Sequence, residues 1–148
     1  LAPQCPTSGW WNFDEYIFSL IKIVDGVVEM YKVDKARIYG TGLSMGGFGI
    51  LSLAMQNPKI FSAIVPICGG ANINKLKILN NLPMWLFHGE KDDVYPPESS
   101  SLIYKMLKKD NPNIKLTIYH DLGHDCWTKT YENDKMFEWL LNFTKNSL

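Results

Sequence analysis

Residues 37 to 49 read RIYGTGLSMGGFG. Arg37 to Gly42 is short, rich in β-forming residues and ends in glycine, which predicts a strand. From Gly46 the run GGFGILSLAMQN predicts a helix that stops at Asn57-Pro58. Strand, tight turn, helix is the result, with Ser44 in the turn. Gly42 and Gly46 stand two residues either side of it, so the stretch also reads G-x-S-x-G. In that arrangement the serine occupies a strained strand-to-helix turn, and the glycines let the neighbouring backbone pass without a clash. The helix then aims its first N–H groups at the serine, and the Met45 N–H is positioned to hold a developing oxyanion. A structural glycine-rich turn is the plain alternative. The strand before the motif and the helix after it favour a nucleophile.

Working outward, Leu1 to Pro6 reads as the end of a strand cut by Pro3 and Pro6. From Phe13 to Tyr31, apolar residues recur at Tyr16, Ile17, Leu20, Ile21, Val24, Val27, Val28 and Tyr31, which is helical spacing. The apolar runs at 61 to 70 and 83 to 93 suit strands buried on both faces. Pro96-Pro97 opens a helix through Lys108. IKLTIYH (114 to 120) alternates like a strand, and TYENDKMFEWLLNFTKN (130 to 146) closes the chain as one helix. Strands alternating with helices predict an α/β fold, a mostly parallel sheet with helices on both faces. In such sheets sites form beyond the C-terminal ends of the strands.

At 148 residues and 46% hydrophobic, the chain has the size and apolar content of one globular unit. Its 15 basic and 15 acidic residues balance. A neutral chain creates no strong field to draw nucleic acid or an anionic membrane surface, so a small neutral partner fits better. Arg37 is the sole arginine, which argues against a phosphate-handling site. Cys5, Cys68 and Cys126 are too few and scattered for a disulfide framework and include no CxxC zinc pair; they read as small buried hydrophobes. No apolar run approaches the roughly 20 residues of a spanning helix. The first residue is Leu1, not Met, so the compartment stays open.

A serine hydroxyl is a weak nucleophile unless a base takes its proton and a third group orients that base. His88 ends the strand MWLFHG and reads as a structural residue held by hydrogen bonds. His120 ends LTIYH, an exposed position. His124, beside Gly123 in the loop DLGHDCW, is the best base. For the orienting carboxylate, Glu90, Asp92 and Asp93 are all on offer after the strand 83 to 88, and spacing alone does not choose among them. Trp10, Trp11 and Trp127 are candidate walls of an acyl or aromatic pocket, with simple packing as the alternative.

Ser44, a carboxylate near 92 and His124 follow the order Ser, Asp, His, that of α/β-hydrolases. With LAPQCP (1 to 6), RIYGTGLSMGGFG (37 to 49), PICGG (66 to 70), FHGEKDDVYP (87 to 96) and HDCWTKTYEN (124 to 133), the chain resembles the esterase branch of that superfamily, the bacterial carboxylesterases grouped with feruloyl and acetyl-xylan esterases and polyhydroxybutyrate depolymerases. The resemblance implies that Asp92 is the acid, four residues after the strand-end His88 and four before Pro96, and that His124 is the base. Tyr95 stands where a small β-branched residue is commoner in the family. The implied activity is serine ester hydrolysis through an acyl-enzyme, with no cofactor and no metal. The implied substrate is a small-molecule or polysaccharide-linked ester, with no nucleic acid or membrane partner. A peptidase of the prolyl-oligopeptidase type and a non-catalytic hydrolase-fold interaction module are the alternatives.

The resemblance also implies a partial α/β-hydrolase fold with its N-terminal strands missing. Those strands precede LAPQCP in the family, and a loop after one of them supplies the second oxyanion N–H. Residues 1 to 148 are accordingly expected to be the C-terminal portion of a single catalytic domain. The strand carrying Ser44 is expected at an exposed edge, covered by the upstream part of the domain or by a self-associated copy.

Overall fold

A computed structural model describes residues 1–11 and 14–145. Four strands form one sheet in the order β1-β2-β3-β4: β1 Tyr39–Leu43, β2 Ala63–Ile67, β3 Met84–Gly89 and β4 Ile114–Tyr119. Every neighbouring pair is parallel. Parallel neighbours need crossovers. The helices α2 (Met45–Gln56) and α3 (Glu98–Leu107) and a 3-10 turn (Ile73–Leu79) supply them. Helix α1 (Asp14–Met30) precedes the sheet, and α4 (Trp127–Tyr131) and α5 (Asp134–Leu141) follow it.

The strand period of two divides the core between the faces. Ile64, Met84 and Leu86 face α1, α2, the 3-10 turn and α3, where they meet Ile17, Leu20, Leu51, Leu53, Leu76, Leu79, Ile103 and Leu107. Ala63, Val65, Ile67 and Phe87 face the other way, onto Met136, Trp139 and Leu140 of α5. All five residues of β2 are buried, as a continuous apolar run requires. Each fully buried Leu, Ile or Phe contributes roughly 1.5–3 kcal/mol. The two central strands therefore anchor the sheet.

Three expectations change. Leu1 to Pro6 forms no strand. Pro3 and Pro6 have no N–H to give a ladder, and these residues lie across a groove from β1 without pairing to it. The closing segment is two helices, not one. Asn133 breaks it by capping α5, its side chain accepting the Lys135 N–H. The 3-10 turn, opened by the Asn72 side chain accepting the Asn74 N–H, was not expected at all. Phe13, expected to open α1, and Asn146, expected to close the last helix, lie outside the described residues.

Among the described residues β1 pairs only with β2, so the strand that leads to Ser44 is a sheet edge. Of the apolar stripe on α1, only Ile17 and Leu20 are buried. Val24, Val27 and Val28 line a groove of about 900 Å³ along the free side of β1. No helix among the described residues is long and apolar enough to cross a membrane.

Candidate active site

Because all four strands run the same way, their C-terminal ends share one rim. Ser44 follows β1, Cys68 follows β2, Asp92 lies beyond β3 and His124 beyond β4. Residues 80 positions apart in sequence become neighbours by this route alone.

Ser44 is held at φ 49° and ψ −117°, outside the regions a non-glycine residue prefers. Such a conformation costs about 1–3 kcal/mol and persists only where its surroundings enforce it. Its N–H is anchored to the Ile67 carbonyl at 2.9 Å, with the Cys68 thiol at 3.3 Å. The turn is so tight that a Cβ on Gly42 would lie 2.2 Å from the Gly46 carbonyl oxygen. A Cβ on Gly46 would meet nothing within 4 Å, so the steric demand read into both glycines falls on Gly42. Helix α2 starts at Met45 and carries no side-chain cap, which leaves its N-terminal N–H groups facing the serine.

Asp92 accepts three N–H groups and has a further ring nitrogen beside it. Its Oδ1 accepts from the backbone of Val94 (3.0 Å) and Tyr95 (2.9 Å), and its Oδ2 accepts from His124 Nδ1 (2.8 Å) and lies 3.1 Å from His88 Nε2. Burial opposes its ionisation, but the Tyr95 N–H, His124 and the Val94 N–H together hold the carboxyl below its ordinary value. With Nδ1–H given to Asp92, His124 Nε2 keeps its lone pair and accepts the Ser44 hydroxyl at 2.9 Å. The His124 loop is pressed onto the end of β3, where a Cβ on Gly89 would lie 2.1 Å from the Gly123 carbonyl oxygen. The Lys91 N–H bonds the Leu122 carbonyl there, tying the acid loop to the base loop.

The other candidates separate cleanly. His88 is completely buried. Its Nε2 lies 2.9 Å from the Tyr95 carbonyl, which only accepts, so Nε2 carries the proton and Nδ1 accepts from Ser100 Oγ at 2.7 Å. His120 is exposed and pairs with Glu90 at 3.0 Å, and Asp93 is exposed. Trp127 stands edge-on to the His124 ring at 5.4 Å. Trp10 is exposed and meets Phe48, one turn beyond Ser44, at 6.0 Å. Trp11 packs on Gly49 of α2 and lines the groove beside β1.

Two neighbours complete the setting: His88, which the sequence marks as a structural residue held by hydrogen bonds, and Cys68, which the sequence marks only as a small buried hydrophobe. His88 supports Asp92 from below, and Cys68 sits against the Ser44 N–H with its own φ at 41°. All three cysteines are free and buried. Its hydrogen bond with Cys126 and burial push the Cys68 thiol up, so it remains protonated and does not compete as a nucleophile.

A parallel sheet wrapped by helices on both faces, with a strained serine at a strand-to-helix turn, is the α/β-hydrolase fold. The profile of the phospholipase/carboxylesterase family matches residues 11–141, and the chain belongs to that family. It superposes on a thermostable esterase of known crystal structure with a TM-score of 0.93 and 35% identity, over 97% of this chain and 43% of that one. It is 36% identical over 52 residues to poly(3-hydroxyalkanoate) depolymerase C of Paucimonas lemoignei, covering 35% of this chain and 13% of that protein. It is 32% identical over 74 residues to a bifunctional acetylxylan esterase/xylanase of Neocallimastix patriciarum, covering 49% of this chain and 11% of that protein. The chain thus spans a small part of these two proteins and under half of the esterase.

Proposed function

We propose that this chain carries the catalytic triad of a serine carboxylic-ester hydrolase. The observation that carries the reading is the continuous path from Ser44 Oγ to His124 Nε2 (2.9 Å) and from His124 Nδ1 to Asp92 Oδ2 (2.8 Å). His124 takes the hydroxyl proton as Ser44 attacks the ester carbonyl. The negative charge on the carbonyl oxygen falls to the Met45 N–H at the uncapped start of α2. Asp92 stabilises the imidazolium, which then gives its proton to the leaving alcohol. Water, deprotonated by the same imidazole, releases the acid from the acyl-enzyme. Trp127, edge-on to His124, and the exposed Trp10 are the proposed contacts for substrate. No step calls for a cofactor.

The names of the two relatives, a polyhydroxyalkanoate depolymerase and an acetylxylan esterase/xylanase, support a carboxylic ester as substrate, either small or attached to a polymer. Treating the chain with a fluorophosphonate and measuring its intact mass tests the nucleophile. One adduct on Ser44 is expected, absent in Ser44→Ala and formed at least about 10³-fold more slowly in His124→Ala. A folded chain that takes no adduct identifies a non-catalytic module. Turnover of aminoacyl amides in preference to p-nitrophenyl acetate identifies a peptidase.

A further inference from the structure

Beneath the triad, the Cys68 thiol, an Asp92 carboxylate oxygen and a His124 ring nitrogen lie within 4.8 Å of one another. They come from the ends of β2, β3 and β4, and ester hydrolysis has no use for the thiol. A second free thiol, Cys126, stands on the base loop two residues after His124. Both cysteines are completely buried. Thiolate, imidazole and carboxylate are the three ligand types that Zn²⁺ accepts in tetrahedral sites. Sulfur ligands select zinc over calcium or magnesium. Bonds of about 2.0–2.3 Å put tetrahedral ligand atoms roughly 3.3–3.8 Å apart, so Asp92 Oδ2 and His124 Nδ1, now 2.8 Å apart, open by about 0.5 Å, with the Cys68 thiol within 4.8 Å of the pair.

We propose that Cys68, Asp92 and His124 form a binding site for a thiophilic divalent cation, and that its occupancy switches the triad off. The cation deprotonates Cys68 outright, the proton going to solvent. It takes His124 at Nδ1, the nitrogen that already lies 2.8 Å from Asp92 Oδ2. The Asp92–His124 hydrogen bond breaks, and the single proton of the neutral ring moves to Nε2. That nitrogen faces Ser44 Oγ, and once protonated it no longer accepts the serine's proton. Ion binding rests on the geometry alone; only the inhibitory consequence rests on the esterase reading.

Titrating the reduced chain with Co²⁺, a spectroscopic stand-in for zinc, tests the site without any turnover. A thiolate-to-cobalt absorption band saturating at one ion per chain and bleached by Zn²⁺ is expected, and it is lost in Cys68→Ser. Cys126→Ser, a second variant in case the first fails to fold, retains the band, because Cys68 is the coordinating sulfur. Zn²⁺ should slow fluorophosphonate labelling of Ser44 at least tenfold, reversibly with EDTA. In Cys68→Ser the Zn²⁺ concentration for half-inhibition should rise at least tenfold, whereas Mg²⁺ should have no effect on either chain. A folded wild-type chain without the cobalt band overturns the proposal. So does Zn²⁺ inhibition of equal strength in both chains, which would assign it to a surface pair such as His120 and Glu90. If Ser44 never labels, the esterase reading fails, and the cobalt band still decides the ion site.

Discussion

Asp92 is one of three neighbouring carboxylates, and its surroundings single it out. Its Oδ1 is consumed by the Val94 and Tyr95 N–H groups, which turns the side chain inward and leaves Oδ2 for His124 and His88. Glu90 turns out to the surface with His120. Replacing Asp92 by Asn keeps an oxygen for the turn but exchanges the charge for an amide. Ester turnover is expected to fall about 10⁴-fold in Asp92→Asn, measured as kcat/KM with p-nitrophenyl acetate, because the imidazole loses both its orienting acceptor and the charge that stabilises imidazolium. The same variant reports on stability. The folded pKa of Asp92 lies below the ordinary carboxylate value, so its charge favours the native state above about pH 4. This contribution drains away as pH falls through the lower folded value. Urea unfolding across the acid range should show the wild type's advantage over Asp92→Asn at neutral pH disappearing on acidification. An advantage that grew on acidification would contradict the hydrogen-bonding account.

At the scale of elements, the turn from β1 into α2 carries the most strain, and Gly42 is where it concentrates. Gly42→Ala forces a Cβ into the Gly46 carbonyl, 2.2 Å away, and is expected to destabilise the fold by about 1–3 kcal/mol. Gly46→Ala meets open space inside α2 and is expected to stabilise by about 0.5–1 kcal/mol, the helical advantage of Ala over Gly. Thermal or urea unfolding of the pair checks this; equal effects would refute the steric assignment. The far end of α2 was plainer in the sequence. Pro58 bars Asn57 from the helical region, and Asn57 lies outside it at φ −134°, ψ 82°. The break between α4 and α5 was not plain, since Asn133 is ordinary within a helix until its side chain takes the Lys135 N–H.

For the whole molecule, the open side of β1 is the feature that sets this chain apart from a closed sheet. An apolar groove of about 900 Å³ beside an edge strand is what proteins cover. The chain matches 43% of the thermostable esterase while superposing almost wholly on it. We propose that residues 1 to 148 are the C-terminal portion of a single hydrolase domain whose upstream strands fill the groove and bring a second oxyanion N–H to the site. A version extended upstream is then expected to turn over p-nitrophenyl acetate about 10²- to 10³-fold faster than residues 1 to 148, the worth of one oxyanion donor. Equal rates would refute the proposal. A concentration-dependent dimer of residues 1 to 148 would point to a second copy on the groove instead.

The alternation of strands and helices, the two-faced burial of β2 and β3 and the turn around Ser44 were all legible in the sequence. Each is written in local periodicity and in the glycine and proline positions, which act over a few residues. The edge position of β1 was legible only by resemblance. What the tertiary structure decided is which distant groups meet: the Asp92–His124 contact that spacing left open and only the resemblance implied, His88 beneath Asp92, Cys68 against the Ser44 N–H, and Trp11 on Gly49 of α2. Those choices depend on parallel strands delivering four loops to one rim, a relation between residues far apart in the chain that no local pattern encodes.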